Sequence, residues 1–217
     1  MKIDRNSYGI LAAMYLLAAG LSLLTVLFIP LPWICWPLCA VYLWFVIWQT
    51  HFFIVPSRKR VGNSHLVTSV ADGRVLFAKR TVESEYLKRE CLQIAVYMNF
   101  FDTHANFWPV DGTVTYYQYH PGEHMLAFEP KASLKNEHTC ILVETPEGVP
   151  VFFKQIAGGF ARRIVCRAKP GLQVKAGTQC GIIKFGSRID IYLPTDAKLR
   201  VRSGDIVRSC ETVLAEI

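Results

Sequence analysis

Between Arg5 and Arg58 the chain carries no aspartate, glutamate, lysine or arginine. The 217-residue sequence is 52% apolar, high for a soluble protein, and the excess is concentrated in this stretch. Tyr8 to Pro30 is long enough to cross a bilayer core, which takes about 20 apolar residues. Trp33 to Val55 is a second apolar run, with Pro37 near its start and Gln49, Thr50 and His51 near its end. Pro30, Leu31 and Pro32 break the helix between them and predict a tight hairpin. The apolar core is too long, and runs too directly into a second one, for a cleavable signal peptide. Lys2 and Arg5 precede the pair and Arg58, Lys59 and Arg60 follow it, so both ends are expected on the cytoplasmic side of the cell (inner) membrane. Two crossings are expected; a re-entrant hairpin is the rival, because the second run is short without its polar end. Trp33, Trp36, Trp44 and Trp48 suit interfacial anchoring, and His51 reads as an interfacial residue rather than a ligand or proton relay.

The formal net charge of +7 lies almost entirely outside that stretch. A basic balance suits nucleic acid or an anionic membrane surface, and without any nucleic-acid-binding signature the membrane is expected and nucleic acid is not. The seven cysteines, Cys35, Cys39, Cys91, Cys140, Cys166, Cys180 and Cys210, are odd in number and contain no CxxC. They read as reduced structural thiols, and no His/Cys pair has zinc-like spacing, so no metal is expected.

From His65 the pattern changes to short β-like runs separated by turn signals. Leu66–Val70 and Arg74–Ala78 flank Asp72-Gly73, and the same Asp-Gly-x-Val device returns at Asp111-Gly112. Glu83 to Glu90 reads as a loop or helical turn, Cys91–Met98 as a strand, and Cys140–Glu144 with Val149–Ile156 as a hairpin around Pro146-Glu-Gly148. Gly158–Cys166 can start a short helix or a strand. The fold class is β-rich α+β: a barrel-sandwich-like globular domain, residues 61–217, on an N-terminal hydrophobic helical hairpin, residues 1–60. Its paired Asp-Gly turns and the later Ala-Gly-x-x-x-Gly turn resemble the biotinyl/lipoyl plan.

One short stretch stands apart: Gly181-Ile-Ile-Lys-Phe-Gly186-Ser187-Arg-Ile-Asp-Ile-Tyr-Leu-Pro194. On its own, Gly186-Ser187 between two β-like runs is a hairpin or bulge turn. It does not stand alone. Val70-Ala-Asp72-Gly-Arg-Val75, Phe101-Asp-Thr-His104-Ala-Asn-Phe-Trp-Pro-Val-Asp-Gly112, Lys131-Ala-Ser-Leu-Lys-Asn136-Glu137 and Gln155-Ile-Ala-Gly-Gly-Phe-Ala-Arg-Arg163 precede it in order. Together they resemble the short bacterial and archaeal type of phosphatidylserine decarboxylase over nearly the whole globular part.

The resemblance implies a proenzyme that cuts itself at Gly186-Ser187 into chains 1–186 and 187–217, which stay associated. Ser187 Oγ would attack the Gly186 carbonyl, and β-elimination would leave a pyruvoyl group, the covalent cofactor, at the head of the small chain. That group would form a Schiff base with the amine of phosphatidylserine in the bilayer and act as electron sink for decarboxylation to phosphatidylethanolamine. His104 matches the family's Asp-x-His stretch and suits general acid/base work near neutral pH. Asp72 resembles the acidic partner in self-cleavage, although Asp-Gly is also what a turn selects. Longer members carry a second histidine where this chain has Phe107, so His104 serving both cleavage and decarboxylation is the simplest reading. Arg162 and Arg163, or Lys184 with Arg188, are candidates for the substrate phosphodiester; a solvated basic face explains them equally well. His120, His124 and His138 read as surface or turn residues, and no role is assigned to Asn136-Glu137. Two other classes stay open at this point: a non-enzymatic membrane-anchored adaptor, and a membrane-bound serine hydrolase, against which the missing Gly-x-Ser-x-Gly elbow counts.

Overall fold

The apolar runs become two long helices whose lower ends are stitched into the β-rich part. In the computed structural model, which describes residues 1–123, 125–129, 131–159, 163–184 and 187–217, strand β1 (Lys2–Ile3) leads into α1 (Tyr8–Phe28), and α2 (Pro32–Phe52) returns to β2 (Ile54–Val55). Pro32 opens α2, where its missing N–H would have no helical partner anyway. Both helices are long and apolar enough to cross a membrane, and most of their surface is exposed. β1 pairs antiparallel with β2, Lys2 opposite Val55, which closes the base of the pair. Asp4, almost fully buried there, accepts hydrogen bonds from Asn6 N–H (2.9 Å), Arg167 (3.0 Å) and Gln179 (2.7 Å). Leu11, Phe52 and Phe53 pack with Ile182 in a shared cluster.

The remaining chain runs β3 (Leu66–Thr68), β4 (Gly73–Glu83), β5 (Arg89–Met98), β6 (Ala105–Phe107), β7 (Gly112–His120), α3 (Ala132–Lys135), β8 (His138–Glu144), β9 (Pro150–Ala157) and β10 (Arg163–Cys166). It continues through β11 (Gln173–Val174), β12 (Gln179–Lys184), β13 (Ser187–Leu193), β14 (Lys198–Leu199), β15 (Ile206–Val207) and β16 (Val213–Glu216). The expected β-rich class is therefore observed, and the Glu83–Glu90 segment is the turn between β4 and β5. Glu83 organises that turn by accepting from the N–H groups of Glu85, Tyr86 and Leu87.

Eight strands form one antiparallel sheet that curls into a half-barrel, in the order β11-β7-β8-β9-β13-β5-β4-β15. Two three-stranded sheets, β10-β12-β6 and β14-β16-β3, complete the fold. The large sheet has an approximate twofold relation about the line between β9 and β13, with β8 answering β5, β7 answering β4 and β11 answering β15. Details repeat across it. Ser209 N–H donates to Asp72 and Ala176 N–H to Asp111, at 2.8 and 2.9 Å. Gly204 N–H bonds the Val75 carbonyl and Gly171 N–H the Val114 carbonyl, at 2.8 and 2.7 Å. Arg58 pairs with Asp72 and Arg60 with Asp111.

This arrangement corrects one local reading. The Asp-Gly pairs are not hairpin turns: β3 and β4 belong to different sheets, as do β6 and β7. Each pair marks a corner at which the chain changes sheet, with Gly73 at φ +154° and Gly112 at φ +155°. A Cβ on either glycine would run into a main-chain carbonyl of the neighbouring strand, Tyr97 or Glu144. The interior is lined by Val75, Ile94, Val96, Val114, Ile141, Val143, Phe153, Ile183, Ile189 and Ile191. β13 is buried along its entire length because strands flank it on both edges and side chains cover both faces. Gly112→Ala should destabilise the protein by about 2–3 kcal/mol, whereas Gly171→Ala, with open space around its Cβ, should cost about 1 kcal/mol. Denaturant unfolding of the detergent-solubilised Ser187→Ala chain followed by fluorescence checks the order.

Candidate active site

Ser187 is the first residue of β13, placed between Met98 at the end of β5 and Ala157 at the end of β9. The strands on either side of Gly186-Ser187 do not pair with each other. β12 lies against β6 and β10, and β13 lies in the large sheet, so the expected hairpin or bulge turn is instead a crossing between sheets. Gly186 and Arg162 lie outside the described residues, as does His124. Ser187 is fully buried, and among the described residues its hydroxyl makes a single hydrogen bond, to Met98 Sδ at 3.6 Å. A thioether is a weak acceptor, so among the described residues the hydroxyl is desolvated and only weakly held.

Met98 Sδ is also met by the Asn106 amide at 3.8 Å. Asn106 Oδ1 accepts from Gln155 (2.7 Å), whose Oε1 accepts from Thr139 (3.0 Å). All of these side chains are buried, so a satisfied polar line runs from β8 across β9 and β6 to the end of β5. Sequence spacing could not have found it, since its members come together only through strand register. Asn136 gains a role in the same way. Its side chain bonds Met125 through both N–H and carbonyl and donates to the Ala157 carbonyl at 2.7 Å, beside Ser187.

His104 leads into β6 and is fully buried. Its carbonyl accepts from Ile183 N–H and its own N–H donates to the Phe52 carbonyl, each at 3.3 Å. Its ring stacks on Phe52 of α2, with centroids 3.8 Å apart. Nδ1 lies 2.9 Å from the Asp102 carbonyl, which can only accept, so Nδ1 carries hydrogen and Nε2 is left with its lone pair. Burial pushes the ring to a pKa of about 3, outweighing the opposing pull of the Asp102 carbonyl and the Asp72 charge. His104 is accordingly neutral at physiological pH, and burial makes it a weaker base than the near-neutral histidine expected from the sequence. The loop before it is braced by Asp102 accepting from Asn99 N–H (2.8 Å) and by Trp48 of α2 donating to the Phe100 carbonyl (2.9 Å).

Asp72 makes no hydrogen bond to His104. Burial alone would raise its pKa, but Arg58, Ser209 and Thr103 hold it below the usual carboxylate range. Arg58 grips both carboxylate oxygens, Ser209 donates from N–H and Oγ, and Thr103, the neighbour of His104, donates at 2.8 Å. Of the basic candidates, Arg188 is buried, its guanidinium paired with Asp190 and donating to the Glu129 carbonyl at 3.3 Å. Arg163 is exposed at the start of β10, directly opposite Lys184, whose ammonium reaches the Asn6 carbonyl (2.9 Å) at the root of α1.

The fold and site define a class: a β-rich domain that buries a serine and a neutral histidine at the foot of an apolar helical pair. The sequence profile described as Phosphatidylserine decarboxylase matches residues 45–215. The chain is 42% identical over 171 residues to the phosphatidylserine decarboxylase proenzyme of Amoebophilus asiaticus, covering 79% of this chain and 76% of that protein. It is 43% identical over 178 residues to that of Nitrosomonas eutropha, covering 82% of each, and 40% identical over 179 residues to that of Bacteroides thetaiotaomicron, covering 82% and 77%. The chain belongs to the phosphatidylserine decarboxylase family.

Because the folded His104 binds its proton far more weakly than an unfolded histidine near pH 6.5, its burial is fully stabilising above that pH and the contribution is lost as pH falls toward 3. Going from pH 7 to pH 5 should therefore cost the Ser187→Ala chain on the order of 2 kcal/mol more than the Ser187→Ala/His104→Gln chain. Parallel denaturant titrations at the two pH values measure the difference.

Proposed function

We propose that the chain decarboxylates phosphatidylserine to phosphatidylethanolamine at a membrane, after cutting itself between Gly186 and Ser187 into chains 1–186 and 187–217. The observation that carries this reading is Ser187 itself. In a member of a family whose relatives are named proenzymes, its buried, weakly held hydroxyl stands at the head of the central strand. The adaptor and serine hydrolase readings have no comparable support.

The self-made pyruvoyl group fits residue 187, because among the described residues the hydroxyl that must leave meets only the Met98 thioether. When present, it supplies an electrophilic carbonyl for the substrate amine and an electron sink for the departing carbon dioxide. The chain's own groups do the rest. Ser187 Oγ attacks the Gly186 carbonyl while His104 Nε2 takes its proton, and the Gly186–Ser187 C–N bond breaks to leave an ester and a free Ser187 amine; β-elimination then frees the Gly186 carboxylate, and water hydrolyses the resulting dehydroalanine to the carbonyl with release of ammonia. The same histidine nitrogen later returns a proton to the substrate carbon that has lost its carboxylate. The Asp102 carbonyl fixes the tautomer this requires, and the Phe52 ring shields the imidazole face from water. Asp72 acts through position: it holds Thr103, and with it the loop that presents His104.

Arg163, with Lys184 beside it, is the proposed partner of the substrate phosphodiester; Arg162 belongs to the same basic stretch. The contact of Lys184 with the root of α1 suits a substrate that stays in the bilayer. Residues 1–60 are read as the membrane anchor, with both ends on the cytoplasmic side, and 61–217 as the decarboxylase domain. The duplicated corners and the twofold relation of the large sheet support the barrel-sandwich-like description.

Intact-mass spectrometry tests the central step. The wild-type protein should give fragments 1–186 and 187–217, the small one without a free amine, and Ser187→Ala should stay whole and inactive. A full-length wild-type chain in active membranes would overturn the reading. In mixed micelles, Arg163→Ala should raise the KM for phosphatidylserine about 5- to 10-fold with kcat little changed, as expected for loss of uniform binding.

A further inference from the structure

A second cluster of reactive side chains lies away from Ser187, at the β7–β8 ladder. His120 ends β7 and is directly paired with His138, which begins β8; Cys140 follows two residues on, so its side chain shares the face of His138. One nitrogen or sulfur atom from each of His120, His138 and Cys140 lies within 4.8 Å of the others. His138 and Cys140 are buried and His120 is half-buried, so the sequence expectation of three surface or turn histidines does not hold for His138.

Three observations point to a ligand here. First, His120 Nε2 is buried and has no hydrogen-bond partner among the described residues. An orphaned ring nitrogen costs free energy that a bound group would recover. Second, His138 is oriented as metal-binding histidines are: Nδ1 lies 2.6 Å from the Asn136 carbonyl, which fixes the tautomer that offers Nε2. Third, Glu85 reaches across from the β4–β5 turn, with Oε1 3.0 Å from His138 Nε2 and Oε2 3.6 Å from Cys140 Sγ. We propose that His120, His138 and Cys140 bind a zinc ion, with Glu85 supplying the fourth ligand.

Two imidazoles, a thiolate and a carboxylate form a donor set that suits zinc and not magnesium or calcium. Tetrahedral bonds of about 2.0–2.3 Å separate ligand atoms by roughly 3.3–3.7 Å, so the three side chains need to close by about 1 Å. Cys140 would bind as the thiolate, releasing its proton to solvent. Lys154 keeps its pairing with Glu83 at 2.9 Å when Glu85 turns to the metal. The ion would tie the β4–β5 turn to the β7–β8 ladder, joining the two related halves of the sheet. Through Asn136 it would also brace the strand end next to Ser187.

The test uses the full-length chain in detergent, stripped with chelator and titrated with cobalt(II) and then zinc. Wild type should take up one metal per chain, with the visible bands of tetrahedral cobalt and a thiolate-to-cobalt charge-transfer band in the near ultraviolet. Cys140→Ser should lose the charge-transfer band. His120→Gln should lower affinity at least about tenfold, which is what losing even an outer-shell partner costs. Circular dichroism of each variant establishes that it is folded. Uptake with the same spectrum and affinity in both variants, or no stoichiometric uptake by wild type, would overturn the proposal.

Discussion

The carboxylate of Asp72 is the point on which the rest of the molecule depends. It receives Arg58 just beyond the helical pair, Ser209 from the C-terminal segment and Thr103 from the loop that carries His104. Three stretches of chain far apart in sequence are thereby fixed to one buried anion. The charge is sustained because a bidentate guanidinium and several shorter dipoles outweigh the cost of burial. Asp111, with Arg60 and Ala176, repeats the device where there is no histidine loop to hold. The repetition identifies the aspartate first as a corner-building residue. The Thr103 contact is what the first copy adds.

Much of this was legible in the sequence. The helical pair follows from the absence of charge and from Pro32, and the β-rich domain from the short alternating runs. The family likeness pointed to Ser187 and His104 directly. What the sequence did not reveal was partnership. The alternation of Ile189, Ile191 and Leu193 identifies a strand, but strand order decides that β13 sits at the centre of the large sheet while β12 leaves for another. Asp-Gly signals a reversal, and nothing local states whether the chain returns to its neighbour or turns a corner. Arg188 looked available as a cation, yet Asp190 two residues on shares its side of the strand and takes its charge. His120 and His138 are separated by a long connection and meet only through the register of β7 with β8.

The helical pair is joined to the domain by more than a tether. Phe52 supplies the face on which His104 rests, Trp48 bonds the loop before it, and Lys2 and Ile3 complete a sheet with the residues leaving α2. Burial keeps the imidazole neutral, and because Phe52 covers the ring, residues of the apolar segment contribute to that burial. A change in how that segment sits would reach the histidine through the Phe52 ring contact, the bond from His104 N–H to the Phe52 carbonyl and the Trp48 bond to the loop.

β13 is hydrogen-bonded along both edges, to β5 and to β9, from its first residue onward. A chain break immediately before it leaves both ladders intact, so the severed piece is held as an inserted strand and needs no covalent tether. Ser187 meets its surroundings only once β5 and β9 have closed around it, so under the proposed self-cleavage assembly would precede scission. A misfolded copy would never acquire the chemistry, and maturation would double as an inspection of the fold.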